Sequence, residues 1–193
     1  MMMKIATWNI CLGLKNKKDY VYQVIKENNI DICLLQEVEI EKSYDENILS
    51  DKEYRLEVET NNIKSRTAIA IQERIQYKRQ YTLEGENTGI VIIDTYGQIE
   101  YRIINLYRSF NPPLNLTPRQ FFEQQLDIIR NSINSKGNRV LILAGDFNLD
   151  DSKRYALDYR HRSLFEPLNT LCDNHNLIQM LEEATWHRII NNI

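Results

Sequence analysis

Three short apolar segments of the chain end in side chains that carry oxygen atoms able to bind a metal ion. Each segment is typical of a buried strand, and their polar ends are Asn9, Gln36-Glu37 and Asp146-Phe-Asn148. Buried strands can deliver such side chains to a single edge of a sheet. Carboxylate and amide oxygens gathered there suit Mg²⁺, or Mn²⁺, and a phosphate ester. The pattern therefore indicates metal-assisted cleavage of a phosphodiester.

Each segment taken alone has a simpler interpretation. Gly145 lets the backbone approach a ligand closely, and Asp146 and Asn148 can face one phosphate, but the same residues also form an Asx turn. A carboxylate that ends a buried strand is costly unless it is paired or metal-bound, yet Glu37 could lie on the surface at the strand end. Asn9 is a common turn residue. The joint occurrence of the three segments is what favours a site.

Composition limits the class of protein. The chain has 193 residues, of which 42% are hydrophobic, and this predicts one domain over residues 1–193 with a substantial core. A net charge of −3 argues against a protein that coats nucleic acid, but it permits an enzyme that grips a few phosphates. Three widely spaced cysteines predict neither disulfides nor zinc, which fits an intracellular location. No segment has the length and apolarity of a membrane helix or the apolar core of a signal peptide, so no membrane partner is expected.

The first quarter of the chain has a β-α-β order. We predict a strand over Lys4–Trp8, a helix over Lys17–Glu27 and a strand over Ile30–Leu35. A right-handed crossover would make the two strands parallel neighbours, with their ends on one side. The polar stretch Glu39–Lys52 is predicted as a surface loop or short helix over that edge.

The middle third is antiparallel in character. Its apolar segments predict five strands, over Tyr54–Glu59, Thr67–Gln72, Ile75–Leu83, Ile90–Thr95 and Ile99–Leu106, with a hairpin turn at Tyr96–Gln98.

The last third alternates helices with one strand. Thr117–Gln120 is a capping box that opens a helix, and Gly137 closes that helix. Val140–Ala144 is the most apolar strand, and Ser163–Glu166 predicts a second capping box and helix. This mixture of elements predicts an α/β sandwich, in which two packed sheets carry helices outside.

Several of these segments resemble a known superfamily. Trp8-Asn9, Gln36-Glu37 and Gly145–Asn148 resemble signature segments of the endonuclease/exonuclease/phosphatase superfamily, which includes apurinic-site endonucleases and DNase-I-like enzymes. Ile103–Pro112 and Thr185–Asn192 are similar to the endonuclease domain that precedes the reverse transcriptase in non-LTR retrotransposons. The resemblance covers almost the whole chain. It implies a DNase-I-like four-layer α/β sandwich with two mixed sheets, a DNA substrate and a reverse transcriptase domain downstream.

The resemblance also implies roles for five residues. Glu37 would be the principal metal ligand, with Asn9 in the same metal site and hydrogen-bond network. Asp146 would position or deprotonate the attacking water, and Asn148 would hold a nonbridging phosphate oxygen. Tyr107 would contact the scissile phosphate, although a buried tyrosine with a satisfied hydroxyl is the alternative. The expected products carry a 3′-hydroxyl and a 5′-phosphate.

Cations near these segments are candidates for substrate binding. Arg108 could add a charge-assisted phosphate contact beside Tyr107. Arg154 and Tyr155 could bind a phosphate and stack on a base, or could belong to a structural loop. The wider set of cations that could track a DNA backbone is Arg66, Lys78, Arg79, Arg108, Arg119, Arg154, Arg160, Arg162 and Arg188.

The sequence departs from the superfamily pattern at two places. Apurinic-site endonucleases often carry a carboxylate where this chain has Cys11, so metal affinity would rest mainly on Glu37. The superfamily also ends in an Asp-His segment, which this chain lacks, and we expect His161, His175 and His187 to be solvated loop residues. We therefore expect a chain that is truncated before its last strand, binds Mg²⁺ weakly and nicks DNA poorly or not at all.

Three functions are consistent with these observations. The first is a DNA endonuclease that nicks target DNA for retrotransposition, and that would act in the nucleus of a eukaryotic host. The second is a phosphodiesterase or phosphatase of the same superfamily that acts on phosphoinositides or sphingomyelin. The third is a non-catalytic nucleic-acid-binding fragment, which the missing Asp-His segment favours.

Overall fold

Eight strands, several of them with apolar residues at consecutive positions, build two four-stranded sheets. The computed structural model describes residues 3–41, 49, 53–59, 64–84, 87–113, 115–150, 153–156 and 161–180. The elements follow in the order β1 (Ile5–Asn9), α1 (Leu14–Glu27), β2 (Ile32–Glu41), β3 (Tyr54–Val58), β4 (Lys64–Gln72), β5 (Tyr77–Arg79), α2 (Tyr81–Glu84), β6 (Ile90–Thr95), β7 (Tyr101–Tyr107), α3 (Pro118–Asn134), β8 (Val140–Asp146) and α4 (Phe165–His175).

Both sheets are mixed. The first has the strand order β1-β2-β4-β3, and the second has the order β5-β6-β7-β8. β1 and β2 are parallel neighbours, as are β7 and β8, whereas the other neighbouring pairs are antiparallel. The predicted β-α-β unit and the antiparallel middle third are thereby confirmed.

Side-chain alternation assigns each strand residue to one of two layers. In β2, Ile32 and Leu34 pack between the sheets, whereas Cys33 and Leu35 face the other way, into the cluster that contains α1 residues. The second sheet follows the same rule, with α3 and α4 on its outer face. The result is the predicted four-layer sandwich, with one apolar core between the sheets and one beneath the helices of each side.

Two amides link the sheets inside the central layer. The Gln36 side chain donates to Asn105 Oδ1 at 2.7 Å. Asn105, which is fully buried, donates in turn to the backbone oxygens of Leu35 and Ala68 at 3.1 and 2.8 Å. Because buried polar groups are costly unless they are hydrogen-bonded, these contacts fix how the two sheets align next to the polar strand ends.

Element boundaries differ from the predictions where tertiary contacts intervene. The predicted strand over Ile75–Leu83 is instead the short β5 followed by α2, because the turn brings the Glu84 carboxylate to Arg79 Nη2 at 2.8 Å inside the protein. β2 continues to Glu41, so the predicted loop from Glu39 is wrong for its first three residues, and most of its remainder lies outside the described residues.

One helix start was predicted correctly and one was not. Thr117 and Gln120 form the capping box of α3. The second capping box, at Ser163–Glu166, is wrong, because a 3₁₀ turn at Arg162–Leu164 leads into α4 with Leu164 at its N-cap and no side-chain cap. Within the described part of the chain, no helix combines the length and apolarity needed to cross a membrane.

Candidate active site

Three candidate residues are the last residues of strands that end at one edge of the sandwich. Asn9 ends β1, Tyr107 ends β7 and Asp146 ends β8. Alternation places all three on the faces between the sheets, because the residues two and four positions earlier in each strand lie there; Ile142 and Ala144 precede Asp146 in this way. Tyr107 and Asp146 are also register partners in neighbouring parallel strands.

Glu37 reaches the same place only through an irregularity in β2. Regular alternation would point it toward α1, as it does Cys33 and Leu35. The register of β2 against β4 shifts between Gln36 and Ile40, and Glu37 has a left-handed φ of 57°. A bulge of this kind re-aims a side chain at a cost in backbone strain. It turns the Glu37 carboxylate toward Asn9 and Tyr107.

Asn9 joins the carboxylates of the two sheets. Its Nδ2 donates to Glu37 Oε1 at 3.0 Å and to Asp146 Oδ2 at 2.8 Å. The Asn9 Oδ1 atom accepts from the backbone N–H of Cys11 at 2.9 Å, which fixes the orientation of the amide. The structure thus places Asn9 in the predicted network as a hydrogen-bond donor. Its predicted role as a metal ligand stays a prediction.

The Asp146–Asn148 turn contains the Asx-type contact that the sequence allowed, and its predicted phosphate contact stays a prediction. The backbone N–H of Asn148 donates to Asp146 Oδ1 at 2.8 Å, which is an Asx-type contact. The other carboxylate oxygen of Asp146 meets Asn9. Asn148 Nδ2 donates to the Arg108 backbone oxygen at 2.7 Å, using one of its two amide hydrogens.

Tyr107 is buried with its hydroxyl at the site. The hydroxyl donates to Glu37 Oε1 at 3.5 Å and accepts from Arg66 Nη1, also at 3.5 Å. Burial raises the pKa of Tyr107 above its ordinary value of 10.0; the Arg66 hydrogen bond lowers it, and the negative charges of Glu37 and Asp146 raise it. The phenol is therefore neutral at physiological pH and can donate a hydrogen bond.

Arg108 lies beneath the site. Its side chain is 1% exposed, and its guanidinium donates to the backbone oxygens of Phe147 and Asn148, both at 2.5 Å. This placement differs from the predicted phosphate contact, because the charge is directed at the turn that carries Asp146. Contacts to carbonyls hold that turn against the end of β7.

The remaining candidates are more scattered. The Arg154 guanidinium stacks on Phe165 at 5.0 Å, and Tyr155 is 81% exposed, so their predicted substrate contacts stay predictions. His161 is buried against the Phe110 ring rather than solvated, and His175 ends α4. His187 lies outside the described residues. Sequence reasoning gave Arg66 no specific role, since only the folded register brings it to Tyr107.

The donor set at this edge fits a hydrated divalent cation. Two carboxylates, Glu37 and Asp146, meet around one amide nitrogen. Among the described residues, no group of three or more histidine, cysteine or acidic side chains could hold a metal. Mg²⁺ usually keeps several waters and takes one or two carboxylates plus phosphate oxygens, so the residues present suit it better than they suit zinc.

A sandwich of two mixed sheets with acidic side chains at one strand edge describes a class of phosphoester hydrolases. The model of the Endonuclease/Exonuclease/phosphatase family matches residues 6–187. The chain belongs to this family. A comparison with curated protein sequences found no match.

Solved structures share the fold. The endonuclease domain of TRAS1, a telomere-specific non-LTR retrotransposon, has a TM-score of 0.65 at 18% identity, covering 88% of this chain and 72% of that one. A 3′ phosphatase from Neisseria bound to a DNA hairpin has a TM-score of 0.63 at 20% identity, covering 88% and 71%. An AP endonuclease from Archaeoglobus fulgidus has a TM-score of 0.59 at 21% identity, covering 77% and 58%. At these identities the likeness shows the fold alone.

Proposed function

We propose that the protein is a metal-dependent endonuclease that hydrolyses phosphodiester bonds in DNA. The observation that carries the proposal is the Asn9 amide, which holds Glu37 of the first sheet and Asp146 of the second within hydrogen-bond distance of one nitrogen. Carboxylates brought together in this way can share the tasks of binding a cation and orienting water. Family membership and the DNA-bound Neisseria structure of the same fold support DNA as the substrate.

The roles follow from what each side chain contacts. Glu37 would hold Mg²⁺ or Mn²⁺, which would neutralise the charge that builds on the phosphate. Asp146 orients and deprotonates the attacking water, and Asn9 fixes its carboxylate for that task. Tyr107 donates its neutral hydroxyl to the phosphate, and Asn148 supplies its second amide hydrogen to a nonbridging oxygen. Arg108 positions Asp146 and Asn148 from below.

A narrower form of the proposal is target-DNA nicking for a non-LTR retrotransposon. Its support is the resemblance of Ile103–Pro112 and Thr185–Asn192 to such endonuclease domains, together with the fold shared with TRAS1. Under this proposal the chain would act beside a reverse transcriptase domain. A preference of the enzyme for one sequence in a mixed DNA target would support it, and uniform nicking would favour a general nuclease.

Nicking of supercoiled plasmid tests the proposal, because a single cut per molecule is visible. The sequence has no Asp-His pair, so we expect slow turnover, stimulated by Mg²⁺ or Mn²⁺ and abolished by EDTA. Glu37→Gln and Asp146→Asn should each lower the rate about 100-fold or more. The matched control is Glu123→Gln, which changes an exposed carboxylate on α3 that is paired with Arg119.

Three results would overturn the proposal. Nicking that persists in Asp146→Asn would mean that another protein or another site is responsible. Metal-dependent phosphate release from a phosphoinositide or sphingomyelin, without nicking, would mean that the same site acts on a lipid substrate. DNA binding with no cleavage under any divalent metal would identify a non-catalytic binding domain.

A further inference from the structure

Six side chains form a continuous series of contacts across the open edge. From one end, Asn9 contacts Asp146 and Glu37, Glu37 contacts Tyr107, Tyr107 contacts Arg66, and Arg66 contacts Glu39. The roles proposed above account for the first four of these residues. Arg66 is the cation of the series, and neither it nor Glu39 has a role in the proposed function.

Arg66 is placed to reach the substrate of Tyr107. Its Nη1 atom lies 3.5 Å from the Tyr107 hydroxyl, and its guanidinium carbon lies 6.0 Å from the centre of the phenol ring. The Arg66 side chain is 42% exposed, whereas Arg108, which follows Tyr107 in the chain, is buried under the turn. A phosphate that accepts a hydrogen bond from Tyr107 would therefore also lie beside Arg66.

The contact between Arg66 and Glu39 is weak enough to be exchanged. Arg66 Nη2 lies 3.6 Å from Glu39 Oε1, and Glu39 binds Lys64 more closely, at 2.8 Å through its other oxygen. A partly exposed ion pair at the longer distance contributes little. A phosphate offers a guanidinium shorter, paired and charge-assisted hydrogen bonds.

We propose that Arg66 binds a nonbridging oxygen of the phosphate that contacts Tyr107, and that Glu39 holds the guanidinium until the phosphate replaces it. This inference rests on the proposed function. It assigns to Arg66 the phosphate contact that the sequence analysis expected of Arg108. Glu39 belongs to the same irregular part of β2 as Glu37 and also has a left-handed φ, of 49°.

DNA binding in EDTA tests the inference without cleavage. The probe is a fluorescently labelled DNA duplex, measured by anisotropy over a series of salt concentrations. We expect Arg66→Ala to weaken binding about 10-fold and to lower the slope of log Kd against log salt by about 1. Arg66→Lys should retain the slope but slow cleavage in Mg²⁺, because lysine lacks the paired donors.

Two further variants separate this role from a structural one. Glu39→Gln removes the resting partner and a negative charge, so it should strengthen binding about twofold, opposite in sign to Arg66→Ala. Arg130→Ala is the matched control, because Arg130 is 43% exposed and paired with Asp127, a carboxylate on α3. It should leave affinity and slope unchanged.

The outcomes distinguish the two proposals. If the parent protein binds DNA and Arg66→Ala behaves like Arg130→Ala, the inference is overturned while the proposed function stands. If the parent neither binds nor nicks DNA, the proposed function itself fails. Should Arg66→Ala lower the thermal midpoint, Arg66→Lys and Glu39→Gln decide, since weaker binding by Glu39→Gln or normal cleavage by Arg66→Lys would contradict the inference.

Discussion

The two sheets supply the site by different means. In the second sheet, Tyr107 and Asp146 are register partners at the ends of parallel strands, and alternation points them inward, although Gly145 just before Asp146 has a φ of 133°. In the first sheet, Asn9 arrives in the same regular way, but Glu37 is turned inward by a bulge and a left-handed backbone. One half of the site thus depends on strand pairing, and the other depends on a local departure from it.

The two halves of the site therefore differ in how much backbone strain the folded state contains. The second-sheet half depends on the pairing of β7 with β8, so it should tolerate little disturbance of that pairing. A left-handed non-glycine residue costs about 1–2 kcal/mol, so the first-sheet half stores strain at the residue proposed to bind the metal. Bulges beside active sites commonly serve to re-aim a functional side chain.

Gly145→Ala should disrupt the second-sheet half of the site and have the largest effect on stability. Gly145 has a φ of 133°, and an added Cβ would lie 2.0 Å from the backbone oxygen of Leu106 and 2.7 Å from its nitrogen. The neighbouring strand cannot move without breaking the β7–β8 ladder, so we expect a loss of about 3 kcal/mol or more in the free energy of unfolding. Chemical denaturation measures this loss, and nicking should fall with it, because Asp146 follows directly.

The control is Gly137→Ala, which also has a left-handed φ, of 63°, but meets no atom closer than 4.0 Å. It should lose only the conformational cost, about 1 kcal/mol. Equal losses in the two variants would show that the contact with Leu106 is not what constrains β8. Gly145 was predicted to let the backbone approach a ligand, but in the structure it lets β8 approach the neighbouring strand at Leu106.

Glycine and alanine at Glu37 and Asp146 should rank in opposite orders. At Glu37, glycine relieves the left-handed backbone, so Glu37→Gly should be more stable than Glu37→Ala by about 1 kcal/mol. At Asp146, in a regular strand, Asp146→Gly should be less stable than Asp146→Ala by about 0.5 kcal/mol or more. Denaturation midpoints of the four variants give both differences, and each pair removes the same carboxylate.

The same order at both positions would contradict the proposed asymmetry between the sheets. Activity cannot rank these variants, because all four lack a carboxylate of the site. The comparison is therefore purely one of backbone conformation.

The sequence predicted the second-sheet half of the site better than the first. The apolar segments that lead to Tyr107 and Asp146 predict buried strands, and the period of two in a strand fixes which face each residue occupies. The two mixed sheets and the capping box at Thr117 follow from equally local patterns. Such features need no knowledge of distant partners.

What the sequence did not predict depends on contacts between distant residues. The bulge at Glu37 and the extension of β2 require the partner strand β4, which lies about 30 residues further along the chain. Arg108 lies beneath the Asp146 turn and Arg66 lies beside Tyr107, because packing of the two sheets sets which arginine reaches the Tyr107 hydroxyl. Similarly, the Arg79 and Glu84 ion pair, buried in the second sheet, breaks a segment that reads as continuous strand.

The smallest expected effect is a change in the pKa of Tyr107. This residue of the second sheet lies beside two charged residues of the first sheet, Glu37 and Arg66. Glu37 raises this pKa and Arg66 lowers it, so Glu37→Gln should lower the pKa of Tyr107 and Arg66→Ala should raise it. The measurement is an ultraviolet titration of phenolate absorbance in EDTA, from which the curve of Tyr107→Phe is subtracted. Tyr77 is the control. Burial and Glu57 raise its pKa, and neither substitution should change that pKa.

The sign of the stability effect follows from the same shift. Because folding raises the pKa of Tyr107, the folded state holds this proton more tightly than the unfolded chain does. The corresponding stability is complete below pH 10 and is lost as the pH rises through the higher pKa of the folded state. Tyr107→Phe should therefore lose less stability between pH 9 and pH 11 than the parent protein. An equal loss of stability at alkaline pH in the two proteins would mean that folding does not shift the pKa of Tyr107.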